Sequence, residues 1–111
     1  MSVVKSLTAN VNFWYNYGEL STICNEINNK ISDRVIINNI KTNTIANPKS
    51  TLNLLNLGLN AGDKIEIIIM SDSELHANIT ERKIKEIFGN NLVFVEGNFI
   101  WTHENWSRLG K

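Results

Sequence analysis

The segment NPKSTLNLLNLGLNAGDKIEI, residues 47–67, decides the fold of this chain. Its Ser50 precedes a short leucine run and is a residue type that caps helix N-termini. Gly58 follows the run, and glycine readily enters the left-handed backbone conformation that often ends a helix. The isoleucine-rich residues 64–70, KIEIIIM, then predict a central strand. The segment therefore predicts a short helix, a turn and a buried strand in succession.

Strands and helices alternate on both sides of this segment. Residues 3–11 predict a first strand, and RVIINN at 34–39 predicts a second. The second strand is expected to turn at Asn38-Asn39 into a returning strand, because asparagine tolerates positive φ. Between the first two strands, a helix is predicted by apolar residues that recur every three or four positions: Leu20, Ile23, Cys24, Ile27 and Ile31.

A third helix is predicted after residues 71–74, SDSE, which can form a capping box. The apolar spacing then breaks near Thr80, so the sequence predicts either one irregular helix or a second helix that begins at Thr80. The apolar residues assigned to this segment are Leu75, Ile79, Ile84, Ile87 and Phe88.

The last segment, residues 90–111, is rich in aromatic side chains. Residues 93–96 and 99–101 flank Gly97-Asn98, and glycine at the first position of a two-residue loop is typical of a type II′ hairpin. This hairpin either covers the open face of a sheet or forms an interface, since tryptophan is enriched at binding hot spots. Its candidate partner-binding residues are Trp101 and Trp106.

Composition limits the classes of function. The chain has 111 residues and 42% hydrophobic content, which suits one globular domain. Its formal net charge is zero, which argues against a nucleic-acid-binding protein. The single cysteine, Cys24, excludes an intrachain disulfide, and its apolar surroundings predict a buried structural thiol. Without a visible signal peptide or a long apolar run, the expectation is a cytoplasmic protein with no membrane partner.

The element order and part of the opening segment resemble HPr, the histidine-containing phosphocarrier of the bacterial phosphoenolpyruvate-dependent sugar phosphotransferase system. The residues that match the family's spacing without a gap are Lys49, Ser50, Leu57, Gly58, Gly62 and Asp63. The resemblance implies an α+β fold, an HPr-like open-faced β-sandwich in residues 1–89, with a four-stranded antiparallel sheet and helices on one face. Residues 90–111 have no counterpart in the family and would form a C-terminal β-hairpin extension packed on or beside that domain.

The resemblance also implies where phosphocarrier chemistry should lie. In the family, the phosphorylated histidine begins the first helix and is followed closely by arginine and proline. The matching residues 13–21 read FWYNYGELS, which contains none of the three and places Glu19 in the first turn. The two histidines, His76 and His103, stand elsewhere and are expected on the surface. The sequence therefore predicts no catalytic residue, no metal and no cofactor, and it favours a protein that is not an enzyme.

Ser50 and its neighbours are the remaining candidate site. Ser50 matches the family's regulatory serine, which a dedicated kinase phosphorylates in some bacteria; the alternative is that it only caps the helix. Leu52 and Leu55 match positions of an apolar partner-docking patch, or they are core residues of a leucine-dense helix. Tyr17 and Trp14, in an aromatic loop, are candidates for joining a binding surface or stacking on a ligand.

Three functions follow from these observations. The first is a non-catalytic HPr-like protein-interaction or regulatory module that lacks the phosphorylatable histidine and binds another protein. The second is a functioning phosphocarrier component whose histidine lies elsewhere in the chain. The third is a structural or oligomerisation domain that forms a homo-oligomer through its C-terminal hairpin.

Overall fold

A computed structural model describes the backbone of residues 2–102 and the side chains of residues 2–95. The chain has an α+β fold in which one antiparallel sheet is combined with helices. The elements are β1 (Val3–Val11), α1 (Tyr17–Lys30), β2 (Arg34–Asn39), β3 (Thr44–Ala46), α2 (Thr51–Leu55), β4 (Lys64–Ser71), α3 (Glu74–Phe88) and β5 (Leu92–Thr102), with a 3-10 turn at Gly89–Asn91 before β5.

The sheet has the strand order β3-β2-β4-β1-β5, and all neighbouring strands are antiparallel. β4 lies in the middle, between β2 and β1, so the prediction of a central strand is confirmed. Its alternate residues Ile65, Ile67 and Ile69 are completely buried. Because successive side chains of a strand point to opposite faces, this alternation marks one buried face and one more open face.

Among the described side chains, one hydrophobic core lies between the buried face of the sheet and the three helices. α3 packs against β4 and β1, α1 packs against α2 and α3, and α2 packs against β3. The predicted apolar face of α1 is confirmed, because Leu20, Ile23, Cys24 and Ile27 are all buried. Burial of one apolar stripe from each helix against the sheet provides the main stabilising free energy of such a fold.

The C-terminal segment differs from the prediction. The hairpin at Gly97-Asn98 is wrong: β5 is one strand that pairs with β1 along nearly its whole length, and it makes the sheet five-stranded. The register pairs Ser6 with Phe99 and Thr8 with Val95, so residues 96–98 bulge opposite Leu7. On the side away from β4, β1 has backbone N–H and C=O groups that need partners, and pairing with β5 satisfies the backbone groups of both strands. Gly97 lies in the bulge of β5.

The turn predicted at Asn38-Asn39 is also displaced. Both residues belong to β2, and the chain turns at residues 40–43, where Asn43 has a φ of 57°. Asn39 is buried, and its Nδ2 donates to the carbonyl oxygen of Leu57 at 2.8 Å. The preference of asparagine for positive φ is therefore used at Asn43, whereas Asn39 connects the sheet to the chain after α2.

The third helix is continuous through Thr80. Its buried residues are Ala77, Thr80, Ile84 and Phe88, so Thr80 occupies a core-facing position within the helix. Leu75 and Ile79, which were assigned to the apolar face, are exposed instead. The spacing break therefore marks a buried polar residue within one helix and not the start of another.

Candidate functional site

The start of α2 is organised by hydrogen bonds between side chains and backbone. Ser50 is the N-cap, and its Oγ accepts from the backbone N–H of Asn53 at 3.3 Å, which confirms the predicted cap. In return, Asn53 Oδ1 accepts from the N–H of Asn47 at 3.2 Å. Asn47 Oδ1 accepts from the N–H of Lys49 at 3.0 Å. These bonds fix the loop that carries Ser50.

The same loop is attached to α1. Cys24 Sγ donates to the carbonyl oxygen of Lys49 at 2.8 Å, and Asn28 Nδ2 donates to that oxygen at 3.1 Å. Asn28 also donates to the carbonyl oxygen of Cys24 at 2.9 Å. Cys24 is buried and free, as predicted for a structural thiol. The first two helices therefore form one surface, with Ser50 beside the point where they meet.

Two leucines of α2 project from this surface. Leu52 is 61% exposed and Leu55 is 42% exposed, whereas Leu54 and Leu57 are buried. The core alternative for Leu52 and Leu55 is therefore wrong. Residues three apart in a helix lie on the same side, so the two exposed leucines are neighbours. Together they form an apolar patch, hereafter the leucine patch.

Tyr17 lies on the other helix of this surface. It is the first residue of α1 and is 60% exposed. Asn16 caps the helix, and its Oδ1 accepts from the N–H of Glu19 at 2.9 Å, while Glu19 Oε1 accepts from the N–H of Asn16 at 2.9 Å. This reciprocal capping box was missed in the sequence, because Gly18 there suggested a loop. Glu19 therefore has a structural role where the resemblance would place a phosphorylated histidine.

Trp14 packs within the protein. Its ring stacks on Phe88 with centroids 6.5 Å apart, and it meets Tyr15 edge-on at 5.3 Å. Tyr15 Oη donates to the carbonyl oxygen of Phe88. Burial, with a further contribution from the charge of Glu19, raises the pKa of Tyr15. Trp14 is partly buried in this aromatic cluster at the end of α3. Of the two residues predicted to stack on a ligand, Tyr17 is therefore the exposed one.

The side chains of the two tail tryptophans lie outside the described part of the structure. Trp101 lies in β5 opposite Val4 in the β1–β5 register. Trp106 and His103 lie outside the described residues. The prediction that this tail binds a partner therefore stays a prediction.

A cluster around Asp33 was missed in the sequence. Asp33 is buried, and its Oδ2 accepts from Thr80 Oγ1 at 2.6 Å. The exposed imidazole of His76 places Nδ1 3.7 Å from Asp33 Oδ1. His76 and Thr80 lie one turn apart on α3, and Asp33 lies far from both in the sequence, so only the packing of α3 beside the start of β2 reveals the cluster. His76 is thus exposed, as predicted, but it has a carboxylate neighbour.

A second polar cluster joins β1 to α3. Lys5 is buried, and its Nζ donates to Asn78 Oδ1 at 2.6 Å and to Glu81 Oε1. Lys85 Nζ lies 2.8 Å from Glu81 Oε2. Burial alone would raise the pKa of Glu81, but its hydrogen bonds and the charges of Lys5 and Lys85 outweigh burial and hold that pKa below its usual range. The cluster pairs every charge that it buries, which indicates a structural role.

Within residues 2–102, no helix is long and apolar enough to cross a membrane. The described side chains likewise contain no group of three or more His, Cys, Asp or Glu residues placed to hold a metal ion. Comparison with known proteins adds no assignment: the chain matches no protein-family model and no curated protein.

Proposed function

We propose that this protein is a non-catalytic, HPr-like interaction or regulatory module that binds another protein through the surface of α1 and α2. The observation that carries the proposal is the leucine patch, with Leu52 and Leu55 exposed on α2, whose preceding loop is hydrogen-bonded to α1 at Lys49. Exposed apolar groups on an ordered surface are typical of binding sites. Tyr17, exposed at the start of α1, is a second candidate contact for this partner.

The local geometry of the opening segment supports an HPr-like architecture. Ser50 caps α2, and Gly58 and Gly62 have φ values of 60° and 92°. The resemblance places a serine and two glycines at these positions. In this chain the serine caps a helix, and both glycines have the positive φ that glycine adopts most readily. The antiparallel order of β1 to β4 and the packing of the three helices on one core are compatible with this architecture, although β5 adds a fifth strand.

The absence of histidine from residues 13–21 supports a non-catalytic role. Asn16 and Glu19 fill the start of α1 with a capping box, and a carboxylate there would repel a phosphoryl donor. The direct test is incubation of the pure protein with phosphoenolpyruvate and the general phosphotransferase enzyme. We expect no phosphohistidine, and an acid-labile phosphate on His76 or His103 would establish the phosphocarrier alternative.

The leucine patch is tested by a matched pair of variants. The double variant Leu52→Ser/Leu55→Ser removes the patch, while Leu75→Ser removes a comparable exposed leucine, 71% exposed, from α3. Each immobilised protein is exposed to an extract of the native host, and the retained partner is identified and then titrated in pure form. We expect the partner to bind wild type and Leu75→Ser alike and to lose most of its affinity for the double variant. Equal binding to all three proteins would contradict the proposal.

Phosphorylation of Ser50 is the proposed means of regulation. A phosphate adds about two negative charges, two positions along the chain from Leu52, and would change the surface that a partner meets. Mass spectrometry after incubation with an HPr-type kinase tests modification at this residue. Modification at other serines, with Ser50 untouched, would leave Ser50 with its capping role alone.

The long edge strand β5 favours a second candidate, a structural domain that associates through its C-terminal strand. β5 has 11 residues, it is the last strand of the sheet as described, and Val93 and Val95 on it are exposed. A long edge strand is a template for pairing with another chain, and lysine on such a strand prevents it. Light scattering should then give a dimer for wild type and a monomer for Val93→Lys/Val95→Lys. A monomeric wild type at high concentration would remove this candidate.

A further inference from the structure

A groove of about 400 Å³ lies beside β2, at the point where β3 ends and the chain leaves for α2. Arg34, Val35 and Ile36 of β2 line it, together with Ile45 of β3. Lys49 and Asn53 line the side formed by the start of α2. The groove is separate from the leucine patch, because neither Leu52 nor Leu55 lines it.

The groove borders part of a strand edge at Val35, a residue whose side chain is buried in the core. β3 pairs only with residues Ile37–Asn39 of β2, so the first half of β2 has no strand on this side among the described residues. The N–H of Ile40 donates to the carbonyl oxygen of Lys64 on the β4 side at 3.2 Å. Because such groups alternate sides along an antiparallel strand, the N–H and C=O of Val35 point away from β4, toward the groove.

Proline explains why β3 stops where it does. Beyond the Ile37–Ala46 pair, the same register brings Pro48 opposite Val35. Proline has no N–H to donate to a strand partner, so pairing ends and the chain turns away. The vacated position beside Val35 can be occupied by a strand from another chain.

The groove is positively charged. Arg34 and Lys49 both line it, and none of the described residues that line it is acidic. Neither cation has an ion-pair partner within the described part of the chain. Ile36 and Ile45 add apolar surface between the charges. An extended peptide with carboxylates at alternate positions complements both the strand edge and the charge.

We infer that this groove binds an extended acidic segment of another protein, which adds to β2 as a strand in line with β3. Its backbone bonds to Val35, and its carboxylates pair with Arg34 and Lys49. This site goes beyond the proposed function, because it uses a different surface and selects a partner by charge and extended conformation instead of apolar contact.

The test measures fluorescence anisotropy with two labelled seven-residue peptides, EVETEVE and KVKTKVK. The acidic peptide should bind and the lysine peptide should not, and binding should weaken as salt screens the charges. Arg34→Glu/Lys49→Glu should weaken acidic-peptide binding by about tenfold or more, because both attractions become repulsions. The neutral variants Arg34→Gln and Lys49→Gln should each give a smaller loss, which covers the case in which the double reversal disturbs the fold.

The matched control is Lys41→Glu/Lys64→Glu, which makes the same change in net charge at two exposed lysines outside the groove. It should change the affinity by less than about twofold. An equal loss in this control, or equal binding of both peptides, would overturn the assignment. A second acidic peptide with proline at its centre should bind more weakly, since it cannot complete the strand pairing.

Two further outcomes separate this inference from other sites and ligands. Leu52→Ser/Leu55→Ser should keep the peptide affinity of wild type, and a loss would place the peptide on the leucine patch instead. A thymidine oligonucleotide that displaces the peptide and binds more tightly would show a general polyanion site and overturn the peptide assignment. If the acidic peptide does not bind the groove, the partner test of the leucine patch is unaffected.

Discussion

The hydroxyl of Thr80 donates a hydrogen bond of 2.6 Å to the carboxylate of Asp33, and both residues are buried. The bond joins the middle of α3 to the residue that precedes β2. A buried carboxylate is costly unless its oxygens accept hydrogen bonds or meet positive charge. Thr80 supplies one such bond to Oδ2, and the imidazole of His76 lies near Oδ1. Thr80 is therefore a structural residue in a position that otherwise belongs to the hydrophobic core.

Replacement of Thr80 by valine keeps the shape of the side chain and removes the hydroxyl. We expect the free energy of unfolding to fall by about 1.5–3 kcal/mol, because a hydrogen bond to a charged, buried group is lost. Urea denaturation monitored by circular dichroism measures the change. The control Thr80→Ser keeps the hydroxyl and should lose less stability. If serine and valine cost the same, the bond to Asp33 has little energetic importance.

Glu81 predicts a pH dependence of stability. Its pKa is lower in the folded chain than in the unfolded chain, where it is about 4.3. Its contribution is therefore complete above the unfolded pKa and disappears as the pH falls through the folded pKa. Denaturant titrations at several pH values should show that Glu81→Gln loses less stability than wild type between about pH 5 and about pH 3. Glu26→Gln, at an exposed ion pair, is the matched control and should retain the wild-type trend.

The capping role of Ser50 predicts a modest loss on its removal. Ser50→Ala should lower the free energy of unfolding by about 1 kcal/mol, because the N–H of Asn53 loses its acceptor. Ser50→Asp should retain most of the stability, since aspartate is also a good N-cap. The comparison is made by chemical denaturation at neutral pH. A fully stable alanine variant would mean that water or Asn47 replaces the cap.

Two glycines should respond to alanine with opposite signs. Gly18 lies in α1, and an added Cβ would make only an ordinary contact of 3.5 Å with Asn16 Oδ1. Gly18→Ala should therefore stabilise the protein by about 0.5–1 kcal/mol through the lower entropy of the unfolded chain. Gly58 has a φ of 60°, and an added Cβ would meet nothing within 4 Å. Gly58→Ala should cost about 1 kcal/mol from backbone strain alone. Thermal denaturation of both variants measures the contrast.

The elements that the sequence predicts well are those determined by neighbouring residues. The alternating isoleucines of β4 and the serine and glycine around α2 each satisfy a local requirement, and the structure uses them as expected. Leu52 and Leu54 show the limit of this reasoning, since identical side chains have opposite environments. In a helix of five residues, the side that faces the core depends on where the preceding loop attaches to α1.

The features that were mispredicted depend on distant partners. Gly97-Asn98 has the local pattern of a turn, but the free edge of β1, some 90 positions earlier in the chain, keeps the strand extended. Thr80 interrupts an apolar pattern because Asp33 needs its hydroxyl. The groove beside β2 has no local pattern at all, since it forms where the pairing of β3 ends before Pro48 and where α2 begins. The capping box at Asn16 is the exception, because its asparagine and glutamate are visible at the right spacing.

The place of β1 in the sheet has a consequence for how the chain folds during synthesis. Within residues 2–102, β1 pairs with β4 and β5, and even its nearest pair joins Asn10 to Lys64. When synthesis has reached residue 60, β1 has therefore been made, but its strand partners β4 and β5 have not. α1 and the β2–β3 hairpin can form in that interval, but Lys5 and Leu7 must wait for β4, where they pair with Ile69 and Ile67. Proteins with such distant contacts fold slowly. We therefore expect the apolar side chains of β1 to be accessible to chaperones until β4 has been synthesised.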